Sequence, residues 1–165
     1  MIDSSASAAA DLLLKEAWLL DRKNWPDWLG LYAVDARYWA PAWLNEYDYV
    51  SDPETQVSLI YHTDRDQLQE RISRIQSRKS ITALPLPRTV HIVSNVLIVG
   101  SDAEGIDVTA SFVVHVFDPR TAREHCHFGH YEYRLKRAAG ELSIAAKKII
   151  LANDRVPTII DFYTL

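Results

Sequence analysis

The stretch of sequence that decides the fold runs from Arg88 to Phe117 and reads RTVHIVSNVLIVGSDAEGIDVTASFVVHVF. Apolar residues recur here at every second position, which is the period of a β-strand. They comprise Val90, Ile92, Ser94, Val96 and Ile98 before the glycine-flanked turn at 100–105, and Ile106, Val108, Ala110, Phe112, Val114 and Val116 after it, with serine as the one polar member. The stretch therefore predicts two long strands joined by a hairpin.

Two more strands are predicted beyond this hairpin. Asp118-Pro119 turns the chain into a third strand over about residues 122–137, and Ala138-Ala139-Gly140 turns it into a fourth over about 141–151. Consecutive long strands joined by short turns indicate an antiparallel meander.

The residues before the meander read as helical. Leu13, Ala17 and Leu20 lie at positions i, i+4 and i+7 of one helix, and Leu14 and Trp18 widen its apolar face. Before this helix, residues 1–10 are expected to form a loose tail.

Three shorter elements follow that first helix. Asn24 is a good N-cap for a short second helix with Pro26 in its first turn. Residues 35–44 look extended, and a third helix is expected to begin at Thr63, which with Asp66 resembles a capping box. The chain is thus predicted to be one α+β domain over residues 1–165, with N-terminal helices packed on one face of a curved antiparallel sheet.

The face of the meander opposite the apolar row is mixed in character rather than charged. Its members are Thr89, His91, Asn95, Asp107, Thr109, Ser111 and His115. A sheet face that is simply solvated carries more Lys and Glu. Periodicity leaves two possibilities open, namely that this face lines a pocket or that it meets another subunit.

Composition excludes several function classes. The 165 residues are 48% apolar and 24% charged, which is the balance of a soluble globular protein, and the net charge of -4 disfavours nucleic acid as a partner. Cys126 is the single cysteine, so this chain can supply neither a Rieske cluster nor a zinc finger, and the cysteine count suits a reducing cytoplasm. No apolar run approaches the length of a membrane-spanning helix, and the N-terminus lacks the basic start of a signal peptide.

Four segments in order resemble a known family. They are Glu16 to Asp21, Ser58-Leu59-Ile60-Tyr61 with Leu68 to Ile72, Pro87-Arg88-Thr89-Val90-His91, and Asp161-Phe162-Tyr163-Thr164-Leu165. In these segments the chain resembles the small (beta) subunits of aromatic-ring-hydroxylating dioxygenases, particularly the benzoate and anthranilate type. Val90 stands where many relatives have arginine.

The resemblance implies a fold, a role and partners. The fold is an NTF2-like (cystatin-like) cone, and the role is a mainly structural subunit that assembles with a large (alpha) catalytic subunit as α3β3, with the small subunits forming a trimer. The large subunit holds the Rieske [2Fe-2S] cluster and a mononuclear Fe(II), and NADH supplies electrons through a reductase. The holoenzyme dihydroxylates an aromatic substrate, expected to be an aromatic carboxylate, in the cytoplasm. No membrane is involved.

Histidines are the candidates for chemistry in this chain itself. His125, His127 and His130 lie close together, but no carboxylate on their strand face completes an iron site, so a packing or interface role is favoured. His115 with Asp107, or His91 with a tyrosine, forms a possible acid/base pair. Such a pair is the basis of the alternative that the chain is a stand-alone NTF2-like dehydratase or isomerase, and a non-catalytic ligand-binding module is a further one.

Basic residues complete the candidates. Arg71, Arg74, Arg78 and Lys79 form a stripe at helical spacing, which is read as a solvated face paired with Glu70 and Asp66 rather than as a docking surface. By the resemblance, Arg88 is a structural or intersubunit ion-pairing residue. The sequence therefore predicts no catalytic, cofactor-binding or metal-binding residue in this chain.

Overall fold

The computed structural model describes residues 2–77, 84–157 and 160–165. The elements in chain order are α1 (Ile2–Asp21), α2 (Trp25–Gly30), β1 (Tyr32–Pro41), β2 (Ser58–His62), α3 (Arg65–Gln76), β3 (Arg88–Ser101), β4 (Gly105–Asp118), β5 (Arg123–Ala138), β6 (Glu141–Leu151) and a 3-10 turn (Phe162–Thr164).

One six-stranded sheet organises these elements, with the strand order β2-β1-β6-β5-β4-β3. The predicted meander is confirmed, since β3 to β6 are consecutive antiparallel neighbours. The strand directions depart from the expected antiparallel arrangement at a single junction, because β1 runs parallel to β6. The sequence did not predict the short edge strand β2, which pairs with β1.

Helix α1 is longer than the sequence predicted. The expectation of a loose tail over 1–10 is wrong, because the helix begins at Ile2 and Ala9 is fully buried. Alanine has the highest helix propensity, and residues 8–10 are all alanine. The predicted stripe is buried at Leu13 and Leu20, whereas Leu14 and Trp18 are half exposed.

The two short helices begin with side-chain caps. Asn24 accepts a hydrogen bond from the backbone N–H of Asp27, as predicted for α2. Helix α3 begins one residue later than expected, because its N-cap is Asp64, whose carboxylate accepts from the N–H of Gln67. The side chain of Gln67 in turn accepts from the N–H of Thr63.

The first half of β3 faces the other way from the prediction. Thr89 is buried and His91 lies partly buried towards the helices, while Val90 and Ile92 are about half exposed on the opposite face. The apolar row of β4 is buried as predicted.

A β-bulge explains this difference. Pairing with β4 shifts between Ser94 and Leu97, and Asn95 adopts a φ of 53°. One extra residue reverses which side chains face inward, so Val96 and Ile98 pack on the core although Val90 does not. A reading of period two alone assigns both halves of the strand to one face.

The core lies between the helices and the inner face of the sheet. Aromatic rings fill it, with Trp28 stacked on Phe162 at 4.7 Å and Phe112 on Tyr131 at 4.1 Å between ring centroids. The elements on both sides share this one hydrophobic cluster. A single domain over 1–165 stays a prediction.

Candidate functional site

The centre of the cone contains a buried ion pair. Glu16 of α1 and Lys147 of β6 are each about 1% exposed, and Nζ of Lys147 lies 2.9 Å from Oε1 of Glu16. Leu13, Ala17 and Leu20 place that face of α1 against the sheet, so Glu16, three residues after Leu13, faces inward with them.

Three tyrosines provide further contacts to this ion pair. Tyr133 donates its hydroxyl to Oε2 of Glu16 at 2.6 Å, and Tyr32 donates to Oε1. The Lys147 ammonium also lies 4.2 Å from the ring centroid of Tyr131, within the range of a cation–π contact. We call this set, Glu16, Lys147, Tyr32, Tyr131 and Tyr133, the cone network.

The cone network favours the charged form of Glu16, whereas burial lowers the pKa of the Lys147 ammonium. Burial by itself raises the pKa of the Glu16 carboxyl, but the charge of Lys147 and the hydroxyls of Tyr133 and Tyr32 together hold that pKa below its usual value. Burial raises the pKa of Tyr32 and Tyr133 well above the ordinary value, so both remain hydrogen-bond donors. General acid/base catalysis requires a group within hydrogen-bond reach of substrate, and Glu16 already has both oxygens engaged.

A second cluster joins α1 to the edge strand β3. The carboxylate of Asp21 accepts from Oγ1 of Thr89 at 2.9 Å and from the backbone N–H of His91 at 2.9 Å, and it lies 2.5 Å from Nδ1 of His91. Burial raises the pKa of Asp21, yet these hydrogen bonds bring it below the ordinary value. The predicted pairing of His91 with a tyrosine is therefore wrong, since its partner is Asp21.

A third cluster holds the C-terminal segment. Arg71 of α3 contacts both oxygens of Asp161, with Nη2 2.5 Å from Oδ2 and Nε 3.2 Å from Oδ1. Asp161 is nearly buried and caps the turn that places Phe162 on Trp28. Bidentate pairing of this kind is among the stronger charge-assisted contacts.

The interpretation of the basic stripe is corrected at two positions. Arg71 pairs with Asp161 rather than with Glu70 or Asp66, and Arg74 is solvated as predicted but forms no ion pair with another described residue. Arg78 and Lys79 lie outside the described residues, so that part of the stripe stays a prediction. The Arg88 guanidinium lies 5.8 Å from the ring centroid of Phe117.

The structure does not bring together the second predicted acid/base pair. His115 is exposed on the outer face of β4. Asp107 lies at the other end of β4, where it binds Arg134 of β5. Eight residues of a strand span about 26 Å, far beyond hydrogen-bond reach. The pairing of His115 with Asp107 is wrong.

The histidine cluster divides between the two faces of β5. His125 and His127 face inward with ring centroids 5.0 Å apart, whereas His130 is exposed on the outer face. Neither ring nitrogen of His127 has a hydrogen-bond partner within the part of the chain that the structure describes. Among residues 2–77, 84–157 and 160–165, no group of three or more His, Cys, Asp or Glu is placed to hold a metal ion.

Acidification is expected to destabilise the fold through His127. Burial and the neighbouring His125 lower its pKa from 6.5 to about 4. Above pH 6.5, the pKa of this ring in the unfolded chain, His127 is neutral in both states and does not lower the free energy of unfolding. As the pH falls through the window between the two values, the unfolded chain binds a proton that the folded chain does not, and the free energy of unfolding decreases by about 2 kcal/mol at pH 5.

Urea unfolding at about pH 7.5 and pH 5 measures this loss. The His127→Leu variant should lose about 2 kcal/mol less than the wild-type chain over the same interval. His130→Leu, exposed on the same strand, is the matched control and should retain the wild-type pH dependence. Equal losses in the wild type and His127→Leu would contradict the assignment.

Two histidine variants should differ sharply in stability. His91→Ala removes a buried side chain and leaves Asp21 without one of its donors, so we expect a loss of about 1–3 kcal/mol in the free energy of unfolding. His115→Ala changes an exposed ring and should cost less than about 0.5 kcal/mol. Chemical denaturation measures both, and equal costs would contradict the contacts described for His91.

Sequence reasoning missed the cone network, although its signal was present. Glu16 lies within the apolar stripe of α1, and Lys147 lies in a strand whose neighbours Ile149 and Leu151 on the same face are apolar. A charged residue at a core position of both elements indicates a buried pair.

Three of the contacts above join the four segments of the resemblance in two pairs. Asp21 of the first segment binds Thr89 and His91 of the third, and Arg71 of the second binds Asp161 of the fourth. These segments therefore hold the helices, the edge strand and the C-terminal turn together.

Comparison with known proteins gives consistent matches. Residues 15–158 match the family model described as "Ring hydroxylating beta subunit". The chain is 36% identical over 162 residues to the 2-halobenzoate 1,2-dioxygenase small subunit of Burkholderia cepacia, covering 98% of this chain and 97% of that protein.

Solved structures agree with this match. The beta subunit of the benzoate 1,2-dioxygenase from Burkholderia mallei superposes with a TM-score of 0.77 at 28% identity, covering 95% of each chain. An NTF2-like protein with a cystatin-like fold from Novosphingobium aromaticivorans, 10% identical, superposes with a TM-score of 0.63 over 92% of this chain and 84% of its own. The predicted NTF2-like cone is confirmed. Among the described residues, no helix is long and apolar enough to cross a membrane.

Proposed function

Because this chain belongs to the family of ring-hydroxylating beta subunits, we propose that it is a scaffold for the large catalytic subunit and performs no chemical step itself. The observation that carries the proposal is the cone network. Its buried charged residues Glu16 and Lys147 are each engaged by the other and by tyrosines and are sealed from solvent, so neither is free to act as an acid or base on a substrate.

The redox centres do not fit this chain. A Rieske cluster needs two cysteine and two histidine ligands, and Cys126 is the single thiol of the sequence. Among the described residues, no third ligand is placed with the inward pair His125 and His127 to form a mononuclear iron site. We therefore place the [2Fe-2S] cluster and the Fe(II) in the large subunit, with NADH supplying electrons through a reductase.

The substrate is proposed to be an aromatic carboxylate. Two similar proteins are named for 2-halobenzoate and benzoate 1,2-dioxygenases. A dioxygenase of this kind adds both atoms of O2 to the ring, giving a dihydroxylated product. The small subunit contributes by holding the assembly that presents the large subunit's pocket.

The assembly is proposed to be α3β3 in the cytoplasm, with the small subunits forming a trimer. The outer sheet face supports self-association. Val90, Ile92, Leu97, Val99 and Phe128 are all exposed there. Large apolar side chains exposed together on one sheet face are typical of protein interfaces.

Iron analysis and reconstitution test the proposal. The purified chain should contain no stoichiometric iron and show no visible absorption. Oxygenase activity should appear only when a large subunit with its own metals and an electron donor are added. About one iron per chain, lost on changing His125 or His127, would place chemistry in this subunit and contradict the proposal.

A further inference from the structure

The loop between β1 and β2 is acidic and apolar at once. Residues 42–57 contain four carboxylates and neither lysine nor arginine, the carboxylates being Glu46, Asp48, Asp52 and Glu54. Within the described part of the chain none of them forms an ion pair. Large apolar side chains project from the same loop, since Tyr47 is 84% and Val57 is 78% exposed. We call residues 42–57 the acidic loop.

The acidic loop has a defined shape. Trp43 and Tyr49 form an isolated β-bridge, and the N–H of Leu44 donates to the carbonyl of Asp48 at 2.8 Å. Asn45 accepts from the N–H groups of Tyr47 and Asp48. The loop therefore presents Tyr47 at the tip of a hairpin whose backbone is already ordered, which reduces the entropy lost on binding.

The opposite end of the sheet is basic and apolar. Its residues are Arg22 and Lys23 after α1, Arg88 at the start of β3, and the exposed side chains of Trp18, Val90 and Ile92. Arg22 stacks on Trp18 at 4.3 Å from the ring centroid. None of these three cations forms an ion pair with another described residue. We call this set the basic edge.

Arg88 differs in this respect from Glu16, Asp21, Arg71 and Asp161 of the four segments. Glu16 binds Lys147, Asp21 binds His91, and Arg71 binds Asp161. Arg88 contacts an aromatic ring and solvent but no carboxylate of the described residues. Because Arg88 has no carboxylate partner among the described residues and lies beside half-exposed Val90, it is suited to bind a carboxylate on another molecule.

The two surfaces lie at opposite ends of the strand order. The acidic loop connects β1 to the edge strand β2, and the basic edge lies on the other edge strand, β3. Ser51 and Pro53 of the loop line a cavity on the sheet together with Val99 near the end of β3, whereas Arg88 lies at the opposite end of that strand. Complementary surfaces at the two ends of one molecule give a head-to-tail contact, which closes into a ring if the rotation between copies permits.

We propose that the acidic loop of one copy of this chain docks on the basic edge of a second copy, with Tyr47 as the aromatic anchor and Arg88 facing its carboxylates. This inference rests on the self-association proposed above and names the two surfaces that form it. Three such contacts close the trimer. Tyrosine and arginine are the residues most enriched at the energetic centres of interfaces.

Two double variants test the contact in the full-length chain. Glu46→Lys with Tyr47→Ala disables the loop, and Arg88→Glu with Val90→Thr disables the edge while keeping a β-branched residue in the strand. Each should weaken self-association roughly a hundredfold in sedimentation velocity. The control Arg37→Glu with Val34→Thr changes exposed residues of the same types on β1 and should remain a trimer.

Mixing the two variants distinguishes a head-to-tail contact from other arrangements. Each mixed pair retains one intact contact, so an equimolar mixture should give a dimer with one copy of each variant and no trimer. A wild-type trimer that both variants leave unchanged would overturn this inference alone, and so would variants that stay trimeric but lose the large subunit. A wild-type chain that is monomeric would overturn the proposed self-association as well. Single Tyr47→Ser and Arg88→Gln variants replace any double variant whose circular dichroism shows that it is unfolded.

Discussion

Replacing Lys147 with methionine is expected to lower the free energy of unfolding by about 3–5 kcal/mol. Methionine keeps the length and volume of the lysine stem but leaves the Glu16 carboxylate buried without its cation. Removing one partner of a buried pair strands an uncompensated charge, which costs far more than the intact pair contributes. Since domains of this size are stable by about 5–15 kcal/mol, the loss should be evident in urea unfolding followed by tryptophan fluorescence.

A double variant provides the control. Adding Glu16→Gln to Lys147→Met removes the stranded charge. The amide keeps one oxygen that accepts from one tyrosine hydroxyl, and its NH2 group donates to the other. Most of the lost stability should return, giving a coupling free energy of at least about 2 kcal/mol between the two sites. Additive losses, or a single variant that costs less than about 1 kcal/mol, would show that the pair is not buried as described.

The second large effect is expected at the C-terminal segment. Arg71→Met should cost about 2–3 kcal/mol, because Asp161 is nearly buried and loses both contacts from the guanidinium. The value lies below that for Lys147 since the Arg71 side chain is partly exposed and its charge is partly screened. Phe162 should also leave its stacked position on Trp28, which near-ultraviolet circular dichroism detects.

Arg74→Met is the matched control on the same helix. Arg74 is exposed in the last turn of α3 and forms no ion pair with another described residue. Its replacement should change the free energy of unfolding by less than about 0.5 kcal/mol. If Arg71→Met and Arg74→Met cost the same, the contact between α3 and Asp161 does not stabilise the fold.

Periodicity predicted the meander and failed at the bulge. The alternation in β4 is unbroken, so its inward row follows directly from the sequence. In β3 the extra residue at Asn95 is invisible in the pattern, because Val90 and Val96 are equally apolar. The contact of Asp21 with Thr89 and His91 accompanies the change, because it turns these two side chains, rather than Val90 and Ile92, towards the helices.

The candidate site depended on pairings between distant parts of the chain. The resemblance marked Glu16, Asp21, Arg71 and Asp161 within its segments, but residues in separate segments carry no sequence signal of mutual contact. His115 and Asp107 share a strand face and therefore appeared compatible, although the length of the strand separates them. One-dimensional patterns predict faces, whereas partners across α1, α3 and the sheet follow from the tertiary fold.

Turnover of the assembled oxygenase tests the structural role of this subunit most directly. The measurement compares product formed per mononuclear iron in enzyme assembled from one large subunit with either the wild-type chain or the Glu16→Gln/Lys147→Met variant, after size-exclusion chromatography confirms equal assembly. We predict turnover within about twofold of wild type, since the cone network contributes stability and no chemical step. A correctly assembled, fully metal-loaded enzyme whose turnover falls about a hundredfold or more would contradict the account.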